Sequence, residues 1–570
     1  MSVLDWIVLV VTVGGIAAWG VYRERQKKQQ TGTQGDSTLT WPTIGLSVMA
    51  TQASAITFLS VPGQAYEDGM RFLQFYLGQP IALVLVASLF VPFYYRLKVR
   101  TAYEYLESRF DGRVRVTGAL LFLVQRGLAA GITIFAPAII LSSIMGWSLN
   151  LTCTLIGIFV IGYTVTGGSE TVSQTQKQQM IVILLGMILA GVILAMRLPE
   201  GVSVQDATVL AGASGRMNLL NTTFNLNDRY NIWSGLIGGF FLALGYFGTD
   251  QSQVQRYLNS RSMTESRLGL LFNGVFKIPM QAGILFVGIL LFAFHLFVAP
   301  PLHFNPAVER QMQAGPAAAQ WQELQQDFAD AHASRQSAAE TLLQNLDSEA
   351  EVASREAFVA GDLRMDAVRT EAIELVHATY ADVETRDGDY VFISFVLQYM
   401  PHGLIGLLIA VIMMAAMSST AGELDALGTT TASDVWKRLV RPDLSEAELA
   451  RVSRIFTAMW GVVALGFALF ASLLDNLIEA VNILGSLFYG TVLGIFLTAF
   501  LVRRAGAVAV LVGAAAGQIT VLVMYGVSSL GFLWYNLIAS VVVVVIAWLV
   551  SWVKPNPRMD EVSPGATAGA

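Results

Sequence analysis

The chain has 570 residues, 54% of them hydrophobic and 13% charged, with a formal net charge of −6. A soluble domain carries about a quarter charged residues, so the composition points to a lipid bilayer as a second solvent, and the acidic balance suggests no nucleic-acid partner. Cys153 is the single cysteine and sits in an apolar run, which excludes disulfides and cysteine metal clusters.

Apolar stretches of about 20 residues recur along the chain, each long enough to cross roughly 30 Å of hydrocarbon. Barrel strands would be about ten residues of alternating polarity, so these runs predict helices. Thirteen spans are expected, near 3–22, 42–64, 72–95, 115–145, 149–166, 177–196, 231–248, 267–299, 403–432, 453–474, 477–501, 505–526 and 531–553. The first, Leu4 to Val21, has no basic leader or small-residue cleavage site and reads as a retained helix. Basic loops follow spans one (Arg23, Arg25, Lys27, Lys28), three (Arg96, Lys98, Arg100), seven (Arg256, Arg261), nine (Lys437, Arg438) and eleven (Arg503, Arg504). All fall on one side if the N-terminus is outside and the C-terminus, with Lys554 and Arg558, is cytoplasmic. A multi-pass protein of the cell (inner) membrane is expected. Outer loops near 198–230 and 300–390 are long, and the second is rich in Ala, Gln and Glu. That composition favours helix and predicts a soluble insert, either a plain cap or an element for solute capture or assembly.

Several residues break the apolar rule. Span two reads IGLSVMATQASAITFLSVPGQAY, small and polar at its centre, with Gln52 and Thr57 adding hydrogen-bonding groups. Such a centre either lets helices pack closely or marks a helix opened so that free carbonyls bind ions. Arg126 lies near the middle of span four, Asp250 closes span seven one turn after Tyr246, and Lys277 lies in span eight. Either Asp250 pairs with a cation and locks two helices, or one of the three charges meets a polar solute. Span nine carries adjacent hydroxyls, Ser418 and Ser419, followed by Glu423 and Asp425. The serines either bond back onto their own helix or supply oxygen ligands to a hard cation such as Na⁺. Charge inside a membrane is costly and usually functional, unless it sits near the hydrated cytoplasmic end.

The stretches SAITFLSVPGQAYEDG, VPFYYRLKVRTAYEYLESRF, TGGSETV, TDQSQVQRYLNSRS and SSTAGELDALGTTTASDVW together resemble the sodium/solute symporter family, the first two most like its iodide and multivitamin branch. The resemblance runs over roughly 40–500 and leaves the insert outside it. It implies an all-α membrane fold with two inverted five-helix repeats of the LeuT type, spans two to six and seven to eleven. The division expected is 1–40 an extra helix and basic loop, 41–299 the first repeat and start of the second, 300–390 the insert, 391–504 the rest of the second repeat, and 505–570 two added helices and a tail. The resemblance also implies a sodium site from the carbonyls of Ala50, Ala53 and Ala415 and the hydroxyls of Ser418 and Ser419. Solute positions map onto Gln52, Thr57, Tyr76, Ala243, Tyr246, Lys277 and Asn482. Tyr76 and Ala243 replace polar sugar ligands, which weakens a sugar reading. Gln176 stands where many members carry an aspartate that assists a second sodium, so one sodium per cycle is expected. Sodium-coupled symport of a small organic solute or anion is the function implied, with a proton-coupled carrier using Glu423, Asp425 or Asp250, or a solute sensor, as alternatives. Nothing resembles an enzyme's nucleotide loop, metal cluster or catalytic triad.

Overall fold

A computed structural model describes residues 1–30, 40–380, 387–470 and 477–554. Every regular element among them is helical. In chain order these are α1 (Val3–Gln30), α2 (Trp41–Gln52), α3 (Ala55–Asp68), α4 (Gln79–Leu85), α5 (Val91–Leu97), α6 (Ala102–Arg109), α7 (Gly112–Met145) and α8 (Leu149–Met196). There follow α9 (Val204–Ala213), α10 (Gly239–Thr249), α11 (Gln251–Leu258), α12 (Met263–Phe297), α13 (Pro306–Ala314), α14 (Ala318–Gln344) and α15 (Glu351–Thr379). The chain ends with α16 (Gly388–Tyr399), α17 (Leu404–Thr430), α18 (Lys437–Leu439), α19 (Glu446–Ala468), α20 (Leu477–Leu501), α21 (Ala507–Val527) and α22 (Leu533–Val553).

Among the described residues nine helices are long and apolar enough to cross a membrane, and three shorter apolar helices lie at Val3–Ile16, Leu149–Val165 and Ser234–Thr249. These apolar helices follow the expected spans in chain order, with parts of the second and third lying in one helical stretch, Ala55–Leu97. Helical hydrogen bonding continues from Leu149 to Met196, and its two apolar parts, Leu149–Val165 and Gln176–Met196, match the two spans expected there. The polar TGGSETVSQTQ run lacks proline, so nothing in it forbids helix. The side chains of residues 166–175, including all of TGGSETV, lie outside the described residues, as does Arg558 in the tail.

Span two is interrupted. α2 ends at Gln52, Ala53 takes φ −88° and ψ 75°, and Ser54 is extended at φ −74° and ψ 174° before α3 restarts at Ala55. The Ala53 N–H still donates to the Met49 carbonyl at 2.6 Å. Neither proline nor glycine stands at the break, and the Ser54 side chain makes no cap. Tertiary packing imposes it: α12 lies along both halves and α17 touches both. Farther out, Gly63 lets α3 meet the start of α16 backbone to backbone, since a Cβ there would stand 1.8 Å from the Gly388 carbonyl oxygen.

Helices α13 to α15 gather around their own apolar cluster, which includes Trp321, Phe328, Met365 and Val376. Three arginines, Arg335 buried and Arg216 and Arg369 partly buried, fasten this layer to one end of the membrane helices. Arg216 donates to the Tyr66 carbonyl at 3.0 Å and to Asp362 at 2.5 Å. Arg335 donates to Asp362 at 3.1 Å and to the His295 carbonyl at 2.9 Å. Arg369 donates to Asp387 at 2.5 Å. At the N-terminus, buried Asp5 accepts the Gly403 N–H at 2.5 Å, which ties α1 to the start of α17.

Candidate functional site

The break between α2 and α3 faces α17, and the residues there are neutral and oxygen-bearing. Ala50, Ala53 and Ala415 are fully buried. The Ser419 hydroxyl donates to the Ala50 carbonyl at 3.3 Å, bridging 369 residues of sequence. The neighbouring Ser418 hydroxyl is buried and has no hydrogen-bond partner. Ser419 thus reaches across to α2 rather than back along its own helix. Carbonyls and hydroxyls without a formal charge form the donor set a small hard cation prefers.

Gln176 on α8 stitches this region together. Its Nε2 donates to the Ser418 carbonyl at 3.1 Å and to the Thr51 hydroxyl at 3.3 Å, while its Oε1 accepts from the Ser47 hydroxyl at 2.5 Å. One neutral side chain therefore holds α2 and α17 in register without adding charge.

The charged residues sort into a second group. Arg126 on α7 donates through Nη1 to Glu423 at 3.0 Å and through Nη2 to Asp250 and to the Tyr489 hydroxyl. Tyr489 donates to Asp250 at 2.9 Å, and Thr133 donates to Glu423 at 3.0 Å. Asp250 sits where α10 gives way to α11 and accepts the Ser252 N–H at 2.8 Å. The cluster joins α7, α10, α17 and α20. Asp425, grouped with Glu423 in sequence, stands apart from it with Arg256 as its opposite charge.

The expected solute positions are split. The Tyr246 ring lies 5.4 Å from the Arg126 guanidinium carbon and 5.6 Å from the Tyr489 ring, and its hydroxyl accepts from Gln253. It belongs to the arginine cluster. Ala243 is buried one turn earlier on α10. On the other side, the Lys277 ammonium stands 5.1 Å from the Tyr76 ring and has no hydrogen-bond partner. Gln52 donates to Gln79 at 3.0 Å. Thr57 is buried in the first turn of α3. The Asn482 amide nitrogen on α20 is buried and unpartnered. Sequence reasoning missed Gln79, Tyr489, Ser47 and Thr133; only Gln79, three residues after Tyr76, had helical spacing as a signal.

The model of the sodium:solute symporter family matches residues 34–325 and 365–519. This chain belongs to that family. It is 26% identical to the sodium/sialic acid symporter NanT of Aliivibrio fischeri, covering 98% of this chain and 95% of the relative. It is 27% identical to human sodium-coupled monocarboxylate transporter 1, over 90% of this chain and 72% of that one. Against the human sodium/iodide cotransporter identity is 36%, but the match spans 52% of this chain and 46% of the relative. Among solved structures, a Na⁺-coupled sialic acid symporter in a substrate-bound outward-open state superposes with TM-score 0.74 at 23% identity, covering 97% of this chain and 98% of the other. The fold is therefore the LeuT-like one that the sequence implied. The family and its relatives are sodium-coupled carriers of small solutes, not enzymes, and the multi-pass membrane assignment follows. The family model skips 326–364, most of α14 and the first half of α15.

Proposed function

We propose that this symporter binds one Na⁺ per cycle at the α2–α3 break and uses it to import a small organic solute or anion by alternating access. The carbonyls of Ala50, Ala53 and Ala415 and the hydroxyls of Ser418 and Ser419 are the ligands. Gln52, Thr57, Tyr76 and Lys277 line the solute path on one side, with Tyr246 and Asn482 toward the other. The observation that carries this reading is the Ser419–Ala50 bridge at 3.3 Å beside an unpartnered Ser418 hydroxyl. These oxygens lie on two helices whose separation must change if the path opens to alternate sides. Sodium favours the state in which they converge, because an ion shifts an equilibrium only through different affinities for its two ends.

Lys277 has no carboxylate partner, which favours an anionic solute over a cationic one. The hold of Arg126 on both Asp250 and Glu423 speaks against either acid as a free proton carrier. The distribution of basic loops supports an N-terminus outside, a C-terminus in the cytoplasm and a location in the cell membrane. Uptake into proteoliposomes under a sodium gradient or a proton gradient tests the coupling ion. Ser418→Ala with Ser419→Ala should abolish sodium-driven accumulation; accumulation that survives the pair refutes the site.

A further inference from the structure

Helix α12 carries a polar stripe that the sodium site and the arginine cluster do not use. Asn273, Lys277 and Gln281 are four residues apart, so they share one face of the helix. Their relative exposures are 0%, 1% and 0%. Among the described residues, neither amide atom of Asn273, neither amide atom of Gln281, nor the Lys277 ammonium has a hydrogen-bond partner. The opposite face is apolar and outward, with Val275 75% exposed and Leu268 and Leu271 beside it. The stripe therefore looks into the protein.

Its level is fixed by close backbone approaches. Gly269 packs on Ile44 and Gly45, and Gly288 packs on Pro62 and Ala65. The stripe lies between them and so runs along the part of α2 and α3 that contains the break. A Cβ on Gly274 would stand 3.6 Å from the Pro80 Cα, which brings this part of α12 against the start of α4, where Gln79 meets Gln52. Their mutual hydrogen bond leaves the Gln52 Oε1 and the Gln79 Nε2 unpartnered as well. Buried polar groups are nearly always hydrogen-bonded, and a run of unbonded ones on one stripe is not explained by packing.

We infer that Asn273 and Gln281, one turn to either side of Lys277, determine solute specificity, and that the solute is a small organic anion that also carries a hydroxyl or amide donor. The inference rests on the reading of the α2–α3 break as the transport path. Lys277 supplies the charge complement for an anion. Each amide offers one donor end and one acceptor end. A bare halide accepts hydrogen bonds and donates none, so it leaves the oxygens of Asn273, Gln281 and Gln52 unserved. A carboxylate with a neighbouring hydroxyl answers both ends. A site built to hydrogen-bond a substrate hydroxyl discriminates strongly against the analogue lacking it.

The test uses the full chain in proteoliposomes under a sodium gradient, with 2-hydroxypropanoate, propanoate and iodide as probes. The hydroxy acid should show an apparent KM at least tenfold below those of propanoate and iodide. Asn273→Leu and Gln281→Leu should each raise that KM tenfold or more and leave the KM for propanoate within twofold. Gln281→Glu, nearly isosteric, sets a carboxylate beside Lys277 and should abolish uptake of all three anions. Sodium-dependent thermal stabilisation without solute should be unchanged in every variant. Wild-type indifference to the hydroxyl, uptake of none of the probes, or variants that shift all three probes alike would overturn the inference. Loss of the sodium response in the wild type would instead overturn the sodium reading.

Discussion

Two buried polar groups flank the broken helix, and they are built on opposite rules. The Arg126 cluster is paired: one guanidinium meets two carboxylates and a phenol, and Thr133 and Ser252 take up remaining carboxylate oxygens. The α12 stripe is unpaired, with one ammonium, two amides and no partner for any of them. A network of charge pairs locks the helices it joins, even with the Arg126 Nε left unpartnered, whereas a stripe with no partners at all keeps its bonding capacity for something that arrives. In the proposed reading, the difference separates residues that hold the bundle from residues that meet cargo.

The comparison can be broken experimentally. Arg126→Met should have the largest effect on stability, because it leaves Asp250 and Glu423 buried without a cation. Breaking such a pair costs about 3–5 kcal/mol, to be read as a fall of several degrees in the melting temperature of the detergent-purified protein. Lys277→Met should leave the melting temperature unchanged or raise it, since an unpaired buried charge is removed, while weakening solute binding at least tenfold. An equal loss of stability in both variants would erase the distinction. Gln176→Ala removes three side-chain bonds and should cost about 1–3 kcal/mol. It should also weaken the apparent affinity for sodium while the Hill coefficient stays near one; a coefficient near two in the parent would refute the single-ion assignment. The smallest effect belongs to the outer insert. Burial raises the Asp387 carboxyl, but Arg369, His303 and the Phe304 N–H outweigh it and hold the group below its ordinary value. Its contribution to stability is therefore complete above the unfolded value of about 3.9 and disappears as pH falls through the depressed one. Asp387→Asn should flatten that acid limb by about 1 kcal/mol, measured by melting at pH 5 and pH 2.5.

Much of this arrangement was legible before any coordinates. Small and polar residues at the centre of span two, and paired serines in span nine, marked two helices whose oxygens stand together. Arg126 and Asp250 were visible as intramembrane charges, and their pairing was one of the two readings left open. Tyr489 was not legible, because a tyrosine in an apolar run carries no sign of which helix it will meet. Asp425 misled for the related reason that two residues along a helix turn a side chain by more than half a circle from Glu423. The α12 amides did carry a signal, an N…K…Q spacing of four, but the lysine drew attention from its neighbours. The helical course of 149–196 was hidden because glycine and serine leave both loop and helix open.

Gln176 has one more consequence. In the proposed arrangement every ligand at the α2–α17 junction is neutral, and the residue that braces it is neutral too. The loaded junction then carries the full positive charge of its ion, and the vacated one carries none. With one Na⁺ and one monoanionic solute the occupied carrier gains no net charge, so membrane voltage would not drive net uptake, whereas a neutral solute would leave the ion's charge for the voltage to act on.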